Sequence, residues 1–274
     1  MPAITPDKLT LETVQSLASR LYHARKCRTQ LRHFSIEHPA MTVQDGYAIQ
    51  SEWVKLELAD GRTIRGRKIG LTSRAMQQAS QITEPDYAPL MDDMFFDAGS
   101  EIEHDRFIAP RVEVELAFIL GSELKGPNVT LCDVLKATEF VTPALEIIDA
   151  RIEQFDRDTK APRKVLDTIS DFAANAGIVV GGNPMRPDAL DLRWVGALLS
   201  KNAVIEETGL AAAVLNHPGI GVAWLANKIA PFDEQLNPGD VILSGSFTRP
   251  TNAKKGDVLH ADYGRLGTIS VRFV

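Results

Sequence analysis

The stretch Arg111-Val112-Glu113-Val114-Glu115-Leu116-Ala117-Phe118-Ile119-Leu120 constrains this chain more than any other. Side chains alternate between the two faces of a strand, so Val112, Val114, Leu116, Phe118 and Leu120 share one apolar face, and Glu113 and Glu115 share the other. The two carboxylates stand one pleat repeat, about 7 Å, apart. If their face is wet, this is an ordinary half-solvated strand. If it is dry, like charges in a low dielectric disfavour joint ionisation, and a divalent cation would remove the conflict. Alternation alone favours the wet face.

A third carboxylate bears on the choice. Phe140 to Ala150 reads as another strand, with Glu146 set among Leu145, Ile147 and Ile148. An isolated charge buried in such a run is costly even after relaxation, so Glu146 needs a cation, either a basic side chain such as Arg151 or a metal.

Ahead of these strands the pattern is helical. Leu11, Val14, Leu17, Ala18 and Leu21 recur at helical spacing from Thr10 to about Arg28, with Asp7 or Thr10 as cap. Thr42 followed by Asp45 resembles a capping box and opens a second helix that runs to Asp60-Gly61, with Tyr47, Gln50, Trp53, Val54 and Leu58 on its mostly apolar side. His33, Glu37 and His38 lie between the helices, where solvated loop residues are the plainer reading and a flap bearing an acid or base is the sharper one. From Gly61 the character changes. Arg62 to Ser73 reads as a strand in which Lys68 stands between Gly66 and Gly70, and its four cations could equally be a solvated edge. The prolines at 85 and 89 predict an ordered loop around Asp86. His217-Pro218 precedes a helix to Ile229, with His217 as a cap or loop residue. Val241 to Ser246 reads as a buried strand delivering Ser244, Ser246, Thr248 and Arg249 either to a solvated turn or to an anion, since arginine suits bidentate carboxylate binding.

Composition narrows the classes. A hydrophobic share of 44% with 24% charged residues fits a globular chain with a sizeable core, read as a helical segment over residues 1–61 and a main body over 62–274. The formal charge of −6, from 30 basic and 36 acidic residues, gives no support to nucleic-acid binding. Two cysteines, Cys27 and Cys132, exclude a disulfide framework and a thiolate metal cluster. The N-terminus lacks a basic segment followed by an apolar run, and no stretch approaches the length of a membrane span, so a cytoplasmic protein without membrane contact is expected. Neither a phosphate-binding loop nor a dinucleotide fingerprint occurs.

Taken together, Lys68-Ile69-Gly70-Leu71-Thr72-Ser73, Arg111-Val112-Glu113-Val114-Glu115, Ala144-Leu145-Glu146-Ile147-Ile148-Asp149 and Pro238-Gly239-Asp240-Val241-Ile242-Leu243-Ser244-Gly245-Ser246 resemble the hydratase/decarboxylase branch of the fumarylacetoacetate hydrolase superfamily. The resemblance covers nearly the whole chain. It implies an α/β fold, a curved mixed β-roll or barrel with an N-terminal helical segment, in a homo-oligomer. It implies Glu113, Glu115 and Glu146 as ligands of Mg²⁺ (or Mn²⁺) and Lys68 beside a bound 2-oxo acid. Chemistry adds Asp86 as candidate base, and Arg249 with Ser246 and Thr248 as candidates for the far carboxylate of a dicarboxylate. Glu84-Pro85-Asp86-Tyr87 and Gly245-Ser246-Phe247-Thr248-Arg249-Pro250 turn the resemblance toward the hydratases of aromatic meta-cleavage, specifically of homoprotocatechuate. The implied reaction adds water to the C3=C4 bond of 2-oxo-hept-3-ene-1,7-dioate through an enolate, giving 4-hydroxy-2-oxoheptane-1,7-dioate. Alternatives are decarboxylation of a 2-oxo-enedioate of the 4-oxalocrotonate type, acylpyruvate hydrolysis using His33 and Glu37, and a non-catalytic metal-binding partner subunit.

Overall fold

The structure, a computed structural model, describes residues 9–274. Helix α1 (Leu11–Cys27) starts at Thr10, whose hydroxyl accepts from the Thr13 amide. Asp7, the other candidate cap, lies outside the described residues. After the single turn α2 (Phe34–Glu37), helix α3 (Val43–Ala59) opens on the expected capping box, in which Thr42 and Asp45 satisfy each other's amides. Its buried side holds Ile49, Gln50, Trp53 and Glu57, while Leu58 faces solvent and not the core as its spacing had suggested.

Strand β1 (Ile64–Gly70) pairs with β2 (Asp86–Met91), so the predicted loop around Asp86 is a strand. Pro89 is tolerated there because β2 is the outermost strand of its sheet and needs no second ladder. Helix α4 (Arg74–Ala79) lies between β1 and β2. The chain then adds β3 (Phe95–Asp97), β4 (Glu101–Ile102), β5 (Arg111–Leu120), α5 (Leu131–Ala137) and β6 (Thr138–Ile148). Helix α6 (Val165–Ser170) precedes β7 (Asn175–Val180). The hairpin β8 (Gly196–Lys201) and β9 (Val204–Leu210), α7 (Pro218–Ile229), β10 (Val241–Leu243), β11 (Thr251–Asn252), β12 (Val258–Asp262) and β13 (Thr268–Phe273) complete the fold.

Two sheets result. The larger runs β2-β1-β10-β5-β6-β7-β3, with β11 also on β5, and the smaller runs β4-β13-β12-β8-β9. Both are mixed: in the larger β1 runs parallel to β10 and β3 to β7, and in the smaller β4 runs parallel to β13, within otherwise antiparallel ladders. The main core fills the space between the sheets and α7, where Val114, Leu116, Leu145 and Val179 meet Leu199, Leu259, Ile269, Val271, Leu225 and Ile229. The opposite face of the larger sheet carries a small cluster of Leu90, Ala117, Ala144, Ile178, Val241 and Leu243. A third cluster joins α1 and α3 to the sheet body through Trp53, Met91, Met94, Ile152 and Phe172. The helical segment is therefore part of one continuous structure with residues 62–274. Among the described residues, no helix is long and apolar enough to cross a membrane.

Candidate active site

Because β5 and β6 are antiparallel neighbours in register, Glu113 stands directly opposite Glu146, and Glu115 opposite Ala144. Paired residues share a face, so the three carboxylates project from the face that carries the small cluster. That face is dry: Glu115 is 1% exposed and Glu146 is fully buried, while Glu113 is partly open. The ordinary wet-strand reading of β5 is overturned by what covers it. One oxygen from each of Glu113, Glu115 and Glu146 lies within 4.8 Å of the others.

Strand β10 stops at Leu243, level with Ala117, so the chain beyond it leaves the ladder beside the carboxylates. The Gly245 amide donates to Glu115 Oε2 at 2.8 Å and orients it. Ser246 and Thr248 hold this turn against β5: the Ser246 hydroxyl contacts the Val114 carbonyl at 3.3 Å, and Thr248 Oγ1 accepts from the Val114 amide at 3.3 Å. Both hydroxyls are thus engaged with main chain. Arg249 points outward, 85% exposed, and pairs with Glu207 at 3.0 Å.

Lys68 reaches the triad from β1, two strands away. It is 4% exposed, its Nζ stands 3.3 Å from Glu146 Oε1, and it donates to the Ala173 carbonyl at 3.1 Å. That carbonyl is aimed by a strained turn, since Phe172, Ala173 and Ala174 all have left-handed φ of 48°, 48° and 63°. The Phe172 ring stacks on Trp53 of α3 at 3.8 Å, so the helical segment braces the turn that holds Lys68. Arg151, the basic partner considered for Glu146, is instead bound to Asp171 through its amide, Nε and Nη2.

Asp86 opens β2 opposite Gly70, and a Cβ on Gly70 would lie 2.2 Å from Asp86 Oδ1 and 3.1 Å from Lys68 Nζ. The missing side chain lets these two charged groups approach. Asp86 Oδ1, both Glu146 oxygens, Ser244 Oγ and Tyr47 Oη are buried without a hydrogen-bond partner. Tyr47, stacked on Tyr87, was read from sequence only as a core residue of α3. His33 and Glu37 form no dyad: His33 Nε2 is bonded to the Glu153 carbonyl, and Glu37 pairs with Arg20.

Electrostatics repeats the message of the geometry. Burial, and then the Glu146 charge, pushes the Glu113 carboxyl up to about 7 and Glu115 well above the usual carboxylate range. Glu146 is raised too, burial outweighing the pull of Lys68. Burial also raises Asp86 against the opposing charges of Lys68 and Arg163. For Lys68 burial works against the charge, but Glu146 and Asp86 overcome it and its pKa rises. Three clustered carboxylates with one lysine leave excess negative charge in a dry site. Orphaned oxygens and an all-carboxylate donor set fit a hard divalent cation of the Mg²⁺ type, which prefers oxygen ligands.

Residues 64–274 match the fumarylacetoacetate hydrolase C-terminal family. The chain belongs to the fumarylacetoacetate hydrolase family. It is 62% identical over 258 residues to 2-oxo-hept-4-ene-1,7-dioate hydratase of Escherichia coli, covering 94% of this chain and 97% of that one. It is 38% identical over 269 residues to 2-hydroxyhexa-2,4-dienoate hydratase of Comamonas testosteroni, covering 97% and 98%. The solved structure of 4-oxalocrotonate decarboxylase from Pseudomonas putida G7, complexed with magnesium and adipate, superposes with a TM-score of 0.92 at 32% identity, covering 97% and 99%. The expected curved β-roll with N-terminal helices is the fold of this family branch.

Proposed function

We propose that this chain is a divalent-metal-dependent hydro-lyase that hydrates a seven-carbon 2-oxo-enedioate to 4-hydroxy-2-oxoheptane-1,7-dioate. The carrying observation is the 62% identity along 94% of the chain to a hydratase of such a diacid, against 32% to the decarboxylase. That relative's name puts the double bond at C4=C5, whereas the sequence reading put it at C3=C4. The two isomers differ by one proton shift. Water adds only to a double bond conjugated with the 2-oxo group, so the C4=C5 isomer must first lose a proton from C3 and gain one at C5. Both isomers then give the same product, with hydroxyl at C4 and the proton at C3.

Glu113, Glu115 and Glu146 would hold Mg²⁺, with Mn²⁺ of the same oxygen preference as second choice. Bound there, the ion supplies Lewis acidity to the carboxylate and oxo oxygens of a 2-oxo acid. Lys68, held by Glu146 and the Ala173 carbonyl, places its ammonium where negative charge collects on the C2 oxygen. Asp86, raised by burial and with a free Oδ1, takes the C3 proton, returns it at C5, and later passes the water's proton to C3.

The reaction belongs to aromatic meta-cleavage catabolism, and the seven-carbon diacid of the relative's name supports the homoprotocatechuate branch. Two exposed free cysteines agree with a reducing cytoplasm. A homo-oligomer is supported by the outer hairpin, where Trp194, Leu198, Val204 and Ile205 are 71%, 45%, 64% and 58% exposed around the edge strand β9. The N-terminal helices, by contrast, bury their apolar faces within the chain.

The test mixes purified chain, Mg²⁺ and 2-hydroxyhepta-2,4-diene-1,7-dioate, following ultraviolet absorbance and CO₂. Loss of absorbance without CO₂ is the expected result. Release of CO₂ would make the chain a decarboxylase, and no change over a protein-free control would make it a binding subunit.

A further inference from the structure

The substrate proposed above is a dianion, and the triad with Lys68 can serve only one of its ends. Arg249, the sequence candidate for the other end, is a surface residue already paired with Glu207. A different set of cations stands beside the site. Arg111 precedes Glu113 by two residues on β5 and therefore shares its face, one pleat repeat or about 7 Å away. Six carbon–carbon bonds separate C1 from C7, as many as two extended residues contribute along a backbone, which also span about 7 Å. The segment after β6 folds back through a bridge between Phe155 and Pro162, and the Arg163 amide donates to the Gln154 carbonyl at 3.0 Å. Gln154 in turn accepts from Arg111 Nη2 at 3.1 Å, which brings Arg163 to the Arg111 side of the site.

Arg163 is short of partners. Its side chain is 9% exposed, yet its guanidinium makes one bond, to the Ile152 carbonyl at 3.3 Å, and a contact of 3.6 Å with Asp171. Asp171 is already saturated by Arg151 and by the amides of 151 and 152. Asp167, the other acid near it, is occupied by Ser35 and the Lys164 amide. The guanidinium groups of Arg151 and Arg163 thus share the Asp171 carboxylate, with Arg151 in the closer contact at 2.6 Å, while Arg111 is bonded to the neutral Gln154 side chain. A buried, under-compensated arginine fork is suited to a carboxylate ligand. The position is right as well: Arg163 contacts Asp171, two residues before the carbonyl that holds Lys68, and its charge is felt at Asp86.

We propose that Arg163, flanked by Arg111, receives the far carboxylate of the substrate and sets the preference of this site for dicarboxylates. This rests on the hydratase reading. The experiment compares wild-type chain with Arg163→Gln, Arg163→Lys and Arg249→Ala, all loaded with Mg²⁺, on 2-hydroxyhepta-2,4-diene-1,7-dioate and on the monoacid 2-hydroxyhexa-2,4-dienoate. In Arg163→Gln, kcat/KM for the diacid falls on the order of a hundredfold, through KM, as for loss of charge-assisted hydrogen bonds. The monoacid changes less than about threefold by the same argument, since it never uses those bonds. Arg163→Lys recovers part of the loss, and Arg249→Ala leaves the diacid-to-monoacid ratio unchanged. Equal losses on both substrates, or a ratio that moves in Arg249→Ala and not in Arg163→Gln, overturn the assignment. Binding of pimelate against hexanoate by calorimetry reads Arg163 independently of turnover. A wild-type chain inert on both substrates sinks the hydratase reading, while weaker pimelate binding in Arg163→Gln would still support this assignment and unchanged binding would overturn it.

Discussion

The triad carboxylates are placed by strand register, and among the described residues Glu146 alone of the three forms an ion pair, with Lys68. Glu113→Gln and Glu115→Gln should therefore leave the fold intact while lowering kcat about a thousandfold, the upper range for losing one electrostatic element of a preorganised site. Thermal melts with and without Mg²⁺ check this: wild type gains stability with the ion, and the variants do not. Retention of full activity in both variants would exclude the triad from the chemistry. The same residues set a pH dependence. Burial raises all three carboxyls, that of Glu113 to about 7, so the folded chain binds protons more readily than the unfolded one. The sign follows from linkage: stability is highest below the ordinary carboxylate pKa of about 4.3 and falls as pH rises toward 7. Metal-free chain should accordingly melt lower at pH 7.5 than at pH 5. The stabilisation by Mg²⁺ should be larger at the higher pH, where no proton competes for the ligands. A metal-induced shift independent of pH would count against raised carboxyls.

Strands β1 and β2 show how an element positions a site through what it lacks. A Cβ on Gly66 would stand 1.9 Å from the Val241 carbonyl, which is backbone of the neighbouring β10, and Gly66 also has a φ of +155°. The nearest atoms to a Cβ on Gly70 would belong to the Asp86 and Lys68 side chains. Gly66→Ala should therefore cost about 3 kcal/mol or more of stability by forcing β1 from β10. Gly70→Ala should melt near wild type and lose activity, because Asp86 is displaced. Circular dichroism melts beside kcat separate the two; similar melting losses in both would mean that Gly70 is structural. Sequence made some of this legible and hid the rest. Strands β5 and β6 declare themselves by alternation and by an apolar run, and the caps at Thr10 and Thr42 by local hydrogen bonding that needs no tertiary contact. The prolines around Asp86 predict a loop because proline usually breaks strands, and the outer position of β2 is what makes Pro89 permissible. Helix α6 and the left-handed turn after it carry no glycine signal, since the turn is enforced by Trp53 packing from 119 residues earlier in the chain. Pairing of Lys68 with Glu146, and the approach of Arg163, depend on strand order and on a fold-back, neither of which leaves a periodic trace.

At the scale of the whole molecule, the helical segment and the sheet body depend on each other. The family match begins at residue 64, which invites the view that residues 1–61 are an appendage. The packing says otherwise. Trp53 and Phe34 are fully buried, and on the sheet side Met91, Met94, Ile152 and Phe172 are buried against them with at most 1% exposure. Gln50 adds bonds to the Tyr87 and Ile169 carbonyls, tying α3 to β2 and α6. Stripping the helices would expose those four large side chains, each worth about 1.5–3 kcal/mol of burial. That loss rivals the whole stability of a typical domain, about 5–15 kcal/mol. It would also release the Phe172 turn and with it the carbonyl that fixes Lys68. A fragment of residues 62–274 should thus bind the dye that reports exposed apolar surface, show no cooperative melt and gain nothing from Mg²⁺. Addition of a separate peptide of residues 1–61 should restore a cooperative transition, because the interface is formed by side chains already patterned for it. A fragment that melts cooperatively and responds to Mg²⁺ alone would show instead that the sheets carry the site unaided, and that the helices serve only association.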